Sequence, residues 1–439
     1  MSESFQGSIT DTTKIIHYVT EVVKRELLRA QPSAEQYKKF TKSLILRAFE
    51  GLNIKLSKAI QQKLMQDIYN QITGLGALQP LIDDDTISEI MVNGYQQIFV
   101  ERNGKIQRVK IHIDGEEELR QIIDRIITPL GRRIDEKRPM VDARLEDGSR
   151  VNAVIPPCAI DGSSITIRKF SKEKLKVEEM IRFGSMTEAM AKFLHACVAS
   201  RLNLLISGGT GSGKTTTLNV LSGFIPEDER IVTIEDAAEL QLQQEHVVRL
   251  ETKPPDIGGE NEVSIRDLVR NSLRMRPERI IIGECRSGEA IDMLQAMNTG
   301  HDGSMTTIHA NSPRDSISRL ETLCMMAGMD LPISVVRRQI ASAIDLIVQQ
   351  SRLRDGSRKI VSISEVAGME GNTVIMSEIF RFEQTGVDEN GKILGELKAT
   401  GIRPQFMHKL EAAGFRLGPD VFGANAANIL GSLQNRRNR

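Results

Sequence analysis

The sequence predicts an α/β protein built from three successive parts. Apolar residues recur at helical spacing in residues 1–80, short strands and turns surround one amphipathic helix in residues 81–170, and strand and helix patterns alternate from residue 176 to about 345. Alternation over that length predicts βαβ units around a mostly parallel sheet. We therefore expect a helical N-terminal region, a compact α+β domain, a charged linker at 171–175 and a larger α/β domain over 176–439.

The first two parts are predicted from periodicity and turn signals. The helical segments are 13–28, 37–49 and 56–72, with Pro32 and Gly51 in the connections. The α+β elements are strands at 87–92, 97–100 and 106–113, a helix over 116–130, and short strands between 141 and 167. Asn93-Gly94 and Asn103-Gly104 are turn signals, and the second predicts a hairpin.

The third part is predicted in the same way. Its elements are a helix at 186–202, strands at 204–206, 231–234, 279–282, 346–348, 360–363 and 374–382, and a helix at 406–413 before a Gly/Asn/Ala-rich tail.

The composition excludes several classes of protein. The 58 basic and 58 acidic residues cancel and only 4% are aromatic, with no tryptophan, so nothing supports a nucleic-acid partner. Four cysteines without a C-x-x-C pair argue against a four-thiolate zinc site and a disulfide framework. Residues 1–9 are polar, and no run approaches the ~20 apolar residues of a membrane span. We expect a cytoplasmic protein whose basic tail, 434–439, is a solvated end.

A phosphate-binding loop is the strongest signal in the chain. A strand runs into a G-x-x-x-x-G-K-[ST] sequence and a helix follows, in the order that this Walker A motif requires. The candidate residues are Gly208, Gly209, Thr210, Gly211, Ser212, Gly213, Lys214, Thr215 and Thr216. The glycines let backbone N–H groups point at phosphate oxygens, Lys214 reaches the β- and γ-phosphates, and the Thr215 hydroxyl suits magnesium. The motif predicts ATP and Mg²⁺ as ligands, and the alternative is an ordinary glycine turn.

Two acidic strand ends follow the loop. Glu235 and Asp236 end a strand on the ligand side of an α/β sheet, where a carboxylate can orient or deprotonate an attacking water. Glu284 follows an apolar strand, as a Walker B carboxylate that serves the magnesium ion would. The alternatives are a helix N-terminus decorated with acids at the first position and a core strand with an incidental glutamate at the second.

Two histidines, His301 and His309, flank a short predicted strand within residues 299–311. Histidine can hydrogen-bond a γ-phosphate or act between subunits, so His309 is a candidate catalytic residue. Metal binding has little support, because no third ligand is spaced with the pair. The alternative is that both histidines are structural.

These elements, in this order, resemble the secretion ATPase superfamily of type II and type IV systems. Glu235 and Asp236 match its Asp box, and residues 299–311 match its His box. Upstream stretches resemble the N-terminal domain of the CpaF-like ATPases of the Tad/Flp (type IVc) pilus branch. They are residues 87–94, 99–104, 139–152 and 165–170. The resemblance covers about residues 80–385.

Two departures favour the Tad/Flp branch. The four-cysteine zinc module that is common in general secretion and type IVa assembly ATPases is absent from this sequence. VirB11-like ATPases of type IV secretion are usually shorter and lack a helical stretch like residues 1–80.

The resemblance implies a homo-hexameric ring whose subunits each join a PAS-like N-terminal domain to a RecA-like ATPase domain, with ATP between them. N-terminal arginines reach the phosphates in such motors, and Arg144, Arg150 and Arg168 occupy the matching stretch. The alternative for each arginine is a surface salt bridge.

The implied work is assembly of a pilus at the inner membrane, with retraction left open. The implied partner is an inner-membrane platform protein, through which the motor is peripherally attached. Thr215 and Glu284 would hold Mg²⁺, and Glu235 would be the general base.

Two other functions use the same kind of core. RecA-like domains also drive nucleic-acid motors, and a nucleotide sensor that does not hydrolyse ATP is a third possibility. The nucleic-acid motor is disfavoured by the neutral net charge and the few aromatic residues. The non-hydrolysing sensor is disfavoured because Lys214, Thr215 and Glu284 are intact.

Overall fold

The computed structural model of the chain describes residues 12–52, 56–102, 104–145, 147–170, 175–255 and 260–423. It contains two compact units, Met1–Lys172 and Glu173–Arg439, referred to below as the first and second unit. The boundary between them lies after Lys172. The predicted linker at 171–175 and the predicted domain limits at residues 80 and 175 stay predictions. The polar N-terminus, most of the linker, Asn103, Glu146 and the tail beyond Gly423 lie outside the described residues.

Three helices open the first unit and pack against one another. They are α1 (Thr12–Ala30), α2 (Ala34–Gly51) and α3 (Lys58–Thr73). Val19, Val23, Ile45 and Ile68 lie in their shared core. The helical pattern is confirmed, because the periodic apolar positions form the inner faces of the three helices.

The rest of the first unit is one antiparallel sheet with helices beside it. The elements are α4 (Gln79–Asp83), β1 (Ile87–Asn93), β2 (Gln97–Arg102), β3 (Lys105–Val109), α5 (Glu116–Ile127), β4 (Met140–Arg144), β5 (Arg150–Val154) and β6 (Ser164–Arg168). The strand order is β3-β2-β1-β6-β5-β4. The buried face of α5, including Ile122 and Ile123, shares a core with Ile90, Val151 and Ile165 of the sheet, as an α+β domain requires.

Two predicted elements in this unit were too long. Strand β3 ends at Val109 because its partner β2 begins at Gln97, which leaves residues 111–113 beyond the ladder. Helix α5 ends at Ile127, and a 3₁₀ turn, Thr128–Leu130, follows it. Pro129 explains the change, because proline has no N–H to donate to the helix and disfavours helical geometry in the residue before it.

A nine-stranded sheet forms the centre of the second unit. Its strands are β7 (Leu204–Gly208), β8 (Ile231–Glu235), β9 (Val247–Glu251), β10 (Arg279–Cys285), β11 (Met305–Ile308), β12 (Leu346–Arg352), β13 (Arg358–Glu370), β14 (Thr373–Val387) and β15 (Ile393–Ala399). The order is β15-β14-β13-β12-β7-β11-β10-β8-β9. The six strands from β12 to β9 run parallel, and β13 to β15 extend the sheet in antiparallel fashion. The predicted mostly parallel sheet is confirmed.

Helices cover both faces of this sheet. They are α6 (Val177–Arg182), α7 (Glu188–Ala199), α8 (Lys214–Ser222), α9 (Ile265–Ser272), α10 (Glu289–Asn298), α11 (Pro313–Met325), α12 (Ile333–Ala343), α13 (Met407–Ala412) and α14 (Pro419–Phe422). Leu204 and Ile206 join the core under α7 and α8, whereas Leu205 joins the core under α9 to α12. Strand β7 is apolar on both sides because both sides are buried. Among the described helices, none has the length and apolar character to cross a bilayer.

The end of the described chain folds back onto this unit. Phe406 and Phe422 pack around Phe193 of α7, with ring centroids 6.3 and 5.8 Å from it. The buried Glu365 carboxylate of β13 accepts the N–H groups of Gln405 at 2.7 Å and Phe406 at 3.3 Å. Burial raises the pKa of Glu365, although these two hydrogen bonds oppose the rise.

A buried ion pair closes the amino ends of the parallel strands. Arg279, the first residue of β10, is 0% exposed and binds both carboxylate oxygens of Glu229, at 2.5 and 3.1 Å. It also donates to the Val198 carbonyl at 2.8 Å. A side chain at Gly303 would collide with the guanidinium. Burial raises the pKa of Glu229, but the hydrogen bond and charge of Arg279 outweigh it and hold this pKa below its ordinary value.

Candidate functional site

The phosphate loop joins the end of β7 to the start of α8, as the motif predicts. Gly211 and Gly213 have φ of +67° and +97°, in the left-handed region that favours glycine. A side chain at Gly208 would collide with the Gln350 carbonyl and the Ser212 hydroxyl. The glycines are therefore required by backbone conformation at two positions and by close packing at a third.

The polar groups of this loop suit a polyphosphate. The Lys214 ammonium donates to the Gly209 carbonyl at 3.2 Å, and the Ser212 hydroxyl donates to the same oxygen at 2.9 Å. Thr215 and Thr216 stand in the first turn of α8, where unpaired helical N–H groups attract anions. Successive N–H groups around left-handed glycines form a concave anion-binding nest. The donors, the ammonium and the loop shape thus fit the phosphates of ATP.

The sheet order brings the other candidate residues of the second unit to the same edge as the loop. Strands β7, β11, β10 and β8 are successive neighbours and run parallel, so their carboxyl ends lie together. Strands lie ~4.8 Å apart, which places β11, β10 and β8 about 5, 10 and 14 Å from β7. His309 follows β11, Glu284 lies near the end of β10, and Glu235 ends β8.

Glu235 is buried and leans towards the phosphate loop. It is 3% exposed, and its carboxylate accepts the N–H groups of Glu239 at 2.8 Å and Leu240 at 3.0 Å. Burial raises the pKa of Glu235, although these hydrogen bonds lower it. A side chain on Gly283 of β10 would begin 2.9 Å from the Glu235 Cγ. Because β10 lies between β8 and β7, this contact shows that the Glu235 side chain leans against β10, on the side of β8 where the loop lies.

Glu284 belongs to a small charged network that the sequence did not predict. The Arg286 Nε donates to the Glu284 carboxylate at 2.7 Å, and the Arg286 Nη1 lies 3.2 Å from Asp236. Arg286 therefore links the Walker B and Asp box carboxylates. A basic residue two positions after Glu284 was the only sequence signal for this link.

The oxygen donors fit magnesium that is held together with a nucleotide. Thr215 and Glu284 supply a hydroxyl and a carboxylate, and Mg²⁺ is commonly bound by one or two such groups plus phosphates and waters. Over the described residues, no group of three or more His, Cys, Asp or Glu side chains could hold a metal by itself. The site thus suits Mg²⁺ that arrives with ATP.

The two histidines lie at opposite ends of strand β11. His309 is exposed and follows the carboxyl end of β11 on the side of the phosphate loop. His301 precedes the amino end of β11, and its Nδ1 lies 3.3 Å from the Ala296 carbonyl. They cannot share a ligand, which leaves His309 as the candidate for contact with a nucleotide.

The three candidate arginines of the first unit form a row. Arg150 lies directly opposite Arg144 on one side and opposite Arg168 on the other. Directly opposed residues in an antiparallel sheet project from the same face. The Arg144 Nε also donates to the Gly148 carbonyl at 3.1 Å. The strand register therefore brings three cationic side chains to one face of the sheet.

Residues of the β12–β13 hairpin also contact the loop and the helix that follows it, and no motif in the sequence indicated these contacts. Arg358 donates to the Gly211 carbonyl at 2.9 Å, and Gln350 accepts the Thr217 hydroxyl at 2.7 Å. These contacts join residues more than 130 positions apart in the chain.

Comparison with known proteins gives consistent results. The profile of the family described as "Type II/IV secretion system protein" matches residues 71–385. A putative conjugal transfer protein of Mycobacterium tuberculosis is 34% identical over 310 residues, which cover 69% of this chain and 88% of that protein. The type IV secretion system protein PtlH of Bordetella pertussis is 36% identical over 313 residues, which cover 65% and 92%. The crystal structure of the VirB11 ATPase of the Brucella suis type IV secretion system, with sulphate, is 31% identical, covers 66% of this chain and 93% of that one, and has a TM-score of 0.37.

Proposed function

Since the chain is an ATP-hydrolysing enzyme of the type II/IV secretion system protein family, we propose that it is a homo-hexameric motor that powers assembly of a Tad/Flp-type pilus. The observation that carries the proposal is the row of Arg144, Arg150 and Arg168. It lies in the stretches that resemble the Tad/Flp branch, and it supplies cations suited to nucleotide phosphates. The motor would act at the inner membrane through a platform protein.

The residues of the second unit would divide the work of hydrolysis. Residues 208–216 would hold the phosphates, and Thr215 and Glu284 would hold a magnesium ion, which would neutralise charge on the phosphates. The Glu235 carboxylate takes a proton from water as the water oxygen bonds to the γ-phosphorus. The bond from that phosphorus to the bridging oxygen breaks, and ADP and phosphate leave. His309 would report the state of the γ-phosphate by hydrogen-bonding to it.

The arginine row would make activity depend on assembly. Arginines that stabilise a phosphoryl-transfer transition state contribute roughly 10³–10⁵ in rate. We infer that the row completes the ATP site when subunits form a ring, and that release of its contacts after hydrolysis drives domain motion.

The experiment is ATP turnover against protein concentration, with and without single-stranded DNA. Specific activity should rise with concentration and ignore DNA, and Lys214→Ala should abolish turnover. Stimulation by DNA with no dependence on concentration would replace the proposal with a nucleic-acid motor. Normal turnover by Lys214→Ala would refute the assigned site.

A VirB11-like secretion ATPase is the second candidate. The observation in its favour is that the relatives in Mycobacterium tuberculosis and Bordetella pertussis are named for conjugal transfer and type IV secretion. A strain that carries only Lys214→Ala should lose surface pili under the first proposal. Under the second, it should keep pili and lose substrate export.

A further inference from the structure

The hairpin between β12 and β13 lies against the outside of the phosphate loop. Arg352 and Arg358 stand directly opposite each other across the hairpin, so both side chains project from the same face. The Arg358 Nε donates to the Gly211 carbonyl at 2.9 Å. The Arg352 Nη1 lies 3.5 Å from the point where a side chain on Gly211 would begin. Two guanidinium groups therefore reach the middle of the loop from one hairpin.

Gln350, in the same strand as Arg352, contacts both ends of the loop. Its backbone lies directly opposite Gly208, so close that only glycine fits there. Its side-chain Nε2 lies 3.0 Å from the point where a side chain on Gly213 would begin. Its Oε1 accepts the Thr217 hydroxyl at 2.7 Å, a buried hydrogen bond that fixes the first turns of α8. Hence β12 defines where the loop starts and where it ends.

The contact at Gly211 has a consequence for the neighbouring N–H group. In a trans peptide the carbonyl and the following N–H point in opposite directions. A donor that holds the Gly211 carbonyl on the outer side therefore turns the Ser212 N–H to the inner side. That N–H points across the loop at the Gly209 carbonyl, 3.4 Å away, a long hydrogen bond that a phosphate oxygen can replace.

We propose that Arg358 is a positioning residue for the nucleotide phosphates, acting through the Gly211–Ser212 peptide, with Gln350 fixing the ends of the loop. A guanidinium suits this role because it is permanently charged and its planar donors have fixed directions. The hairpin thereby ties the phosphate loop to the antiparallel strands β13 to β15. The proposal rests on the loop binding ATP and is independent of which machine the motor drives.

The test compares three variants of the full chain: Arg358→Gln, Arg358→Lys and Arg354→Gln. Arg354 is the matched control, because it is an exposed arginine at the tip of the same hairpin. The measurements are the Kd for ADP by calorimetry, KM and kcat for ATP, and thermal unfolding. If loop position affects ground state and transition state alike, KM rises while kcat changes little.

Arg358→Gln should raise both KM and the Kd for ADP about tenfold, equivalent to ~1.4 kcal/mol. Arg358→Lys should recover part of this loss, because an ammonium can still donate to the Gly211 carbonyl. Arg354→Gln should match the parent protein. The proposal is overturned if Arg358→Gln binds ADP normally, or if its affinity falls only in step with loss of folded protein. A parent protein that binds no ADP would instead overturn the ATP site itself.

Discussion

Gly283→Ala tests whether Glu235 acts from the position that the structure gives it. The new methyl group would lie 2.9 Å from the Glu235 Cγ and 3.4 Å from its Oε2. Carbon atoms pack at about 3.5–4.0 Å, so the Glu235 side chain must retreat by roughly 0.6–1.1 Å, away from the phosphate loop. A misplacement of about 1 Å in a catalytic group costs on the order of 10²-fold in rate. We therefore expect kcat to fall by roughly ten- to a hundredfold.

Steady-state ATP hydrolysis and ADP binding separate this effect from simple damage. The phosphate loop is on β7, two strands away from β10, so the Kd for ADP should not change. Gly386→Ala is the matched control, because a methyl group there meets nothing within 4 Å. In a protein that already carries Glu235→Gln, adding Gly283→Ala should lower kcat little further, since both changes act on the same carboxylate. A normal kcat for Gly283→Ala, or full additivity with Glu235→Gln, would refute the reasoning.

Further predictions concern ionisation, packing and assembly. Burial raises the pKa of Glu235, and a general base must be ionised to act. As pH is lowered, kcat/KM should therefore begin to fall at a pH above the ordinary glutamate pKa of about 4.3. This acid-side fall in kcat/KM should be absent from the residual activity of Glu235→Gln. Burial likewise raises the pKa of Glu365, so its favourable contribution is complete below the unfolded pKa and is lost as pH rises through the folded pKa. Glu365→Gln should accordingly have the higher Tm at pH 8, with the gap narrowing towards pH 5, and a gap that widens on acidification would contradict this. Arg279→Met removes the bidentate partner of the buried Glu229 and leaves that carboxylate paired with the half-exposed Arg201, 3.2 Å away, so it should cost about 3 kcal/mol in urea unfolding; a loss below about 1 kcal/mol would show that the pair with Arg279 is dispensable. Arg150→Gln should lower kcat by up to roughly 10³ with ADP affinity retained, and an unchanged kcat would remove the arginine row from the site.

Periodicity predicted the elements that bury an apolar face. The helices of the first unit and the central strands of the second unit follow directly from such patterns. Strands β9 and β15 were missed, because they lie at the two edges of the sheet and their burial is only partial. An edge strand is defined by hydrogen bonds to one neighbour, and those leave little trace in hydrophobicity.

The site was predictable where its residues are adjacent in sequence. The phosphate loop is one continuous motif, whereas the contacts of Gln350 and Arg358 with it depend on β12 lying beside β7. The three arginines of the first unit were only partly predictable. The sequence indicated each of them as a candidate, but only the strand register showed that they lie opposite one another.

The packing of the C-terminal residues Phe406 and Phe422 against α7 has a consequence for folding during synthesis. Phe193 and the phosphate loop emerge from the ribosome about 200 residues before Phe422, yet Phe193 and Phe422 share one core. Until synthesis reaches that point, the nascent chain exposes the aromatic surface around Phe193, which is an opportunity for chaperones and a risk of aggregation. A C-terminal truncation before Phe406 would make that temporary exposure permanent. Shortened versions of this motor should accordingly be insoluble even though every residue of the ATP site in the second unit is present.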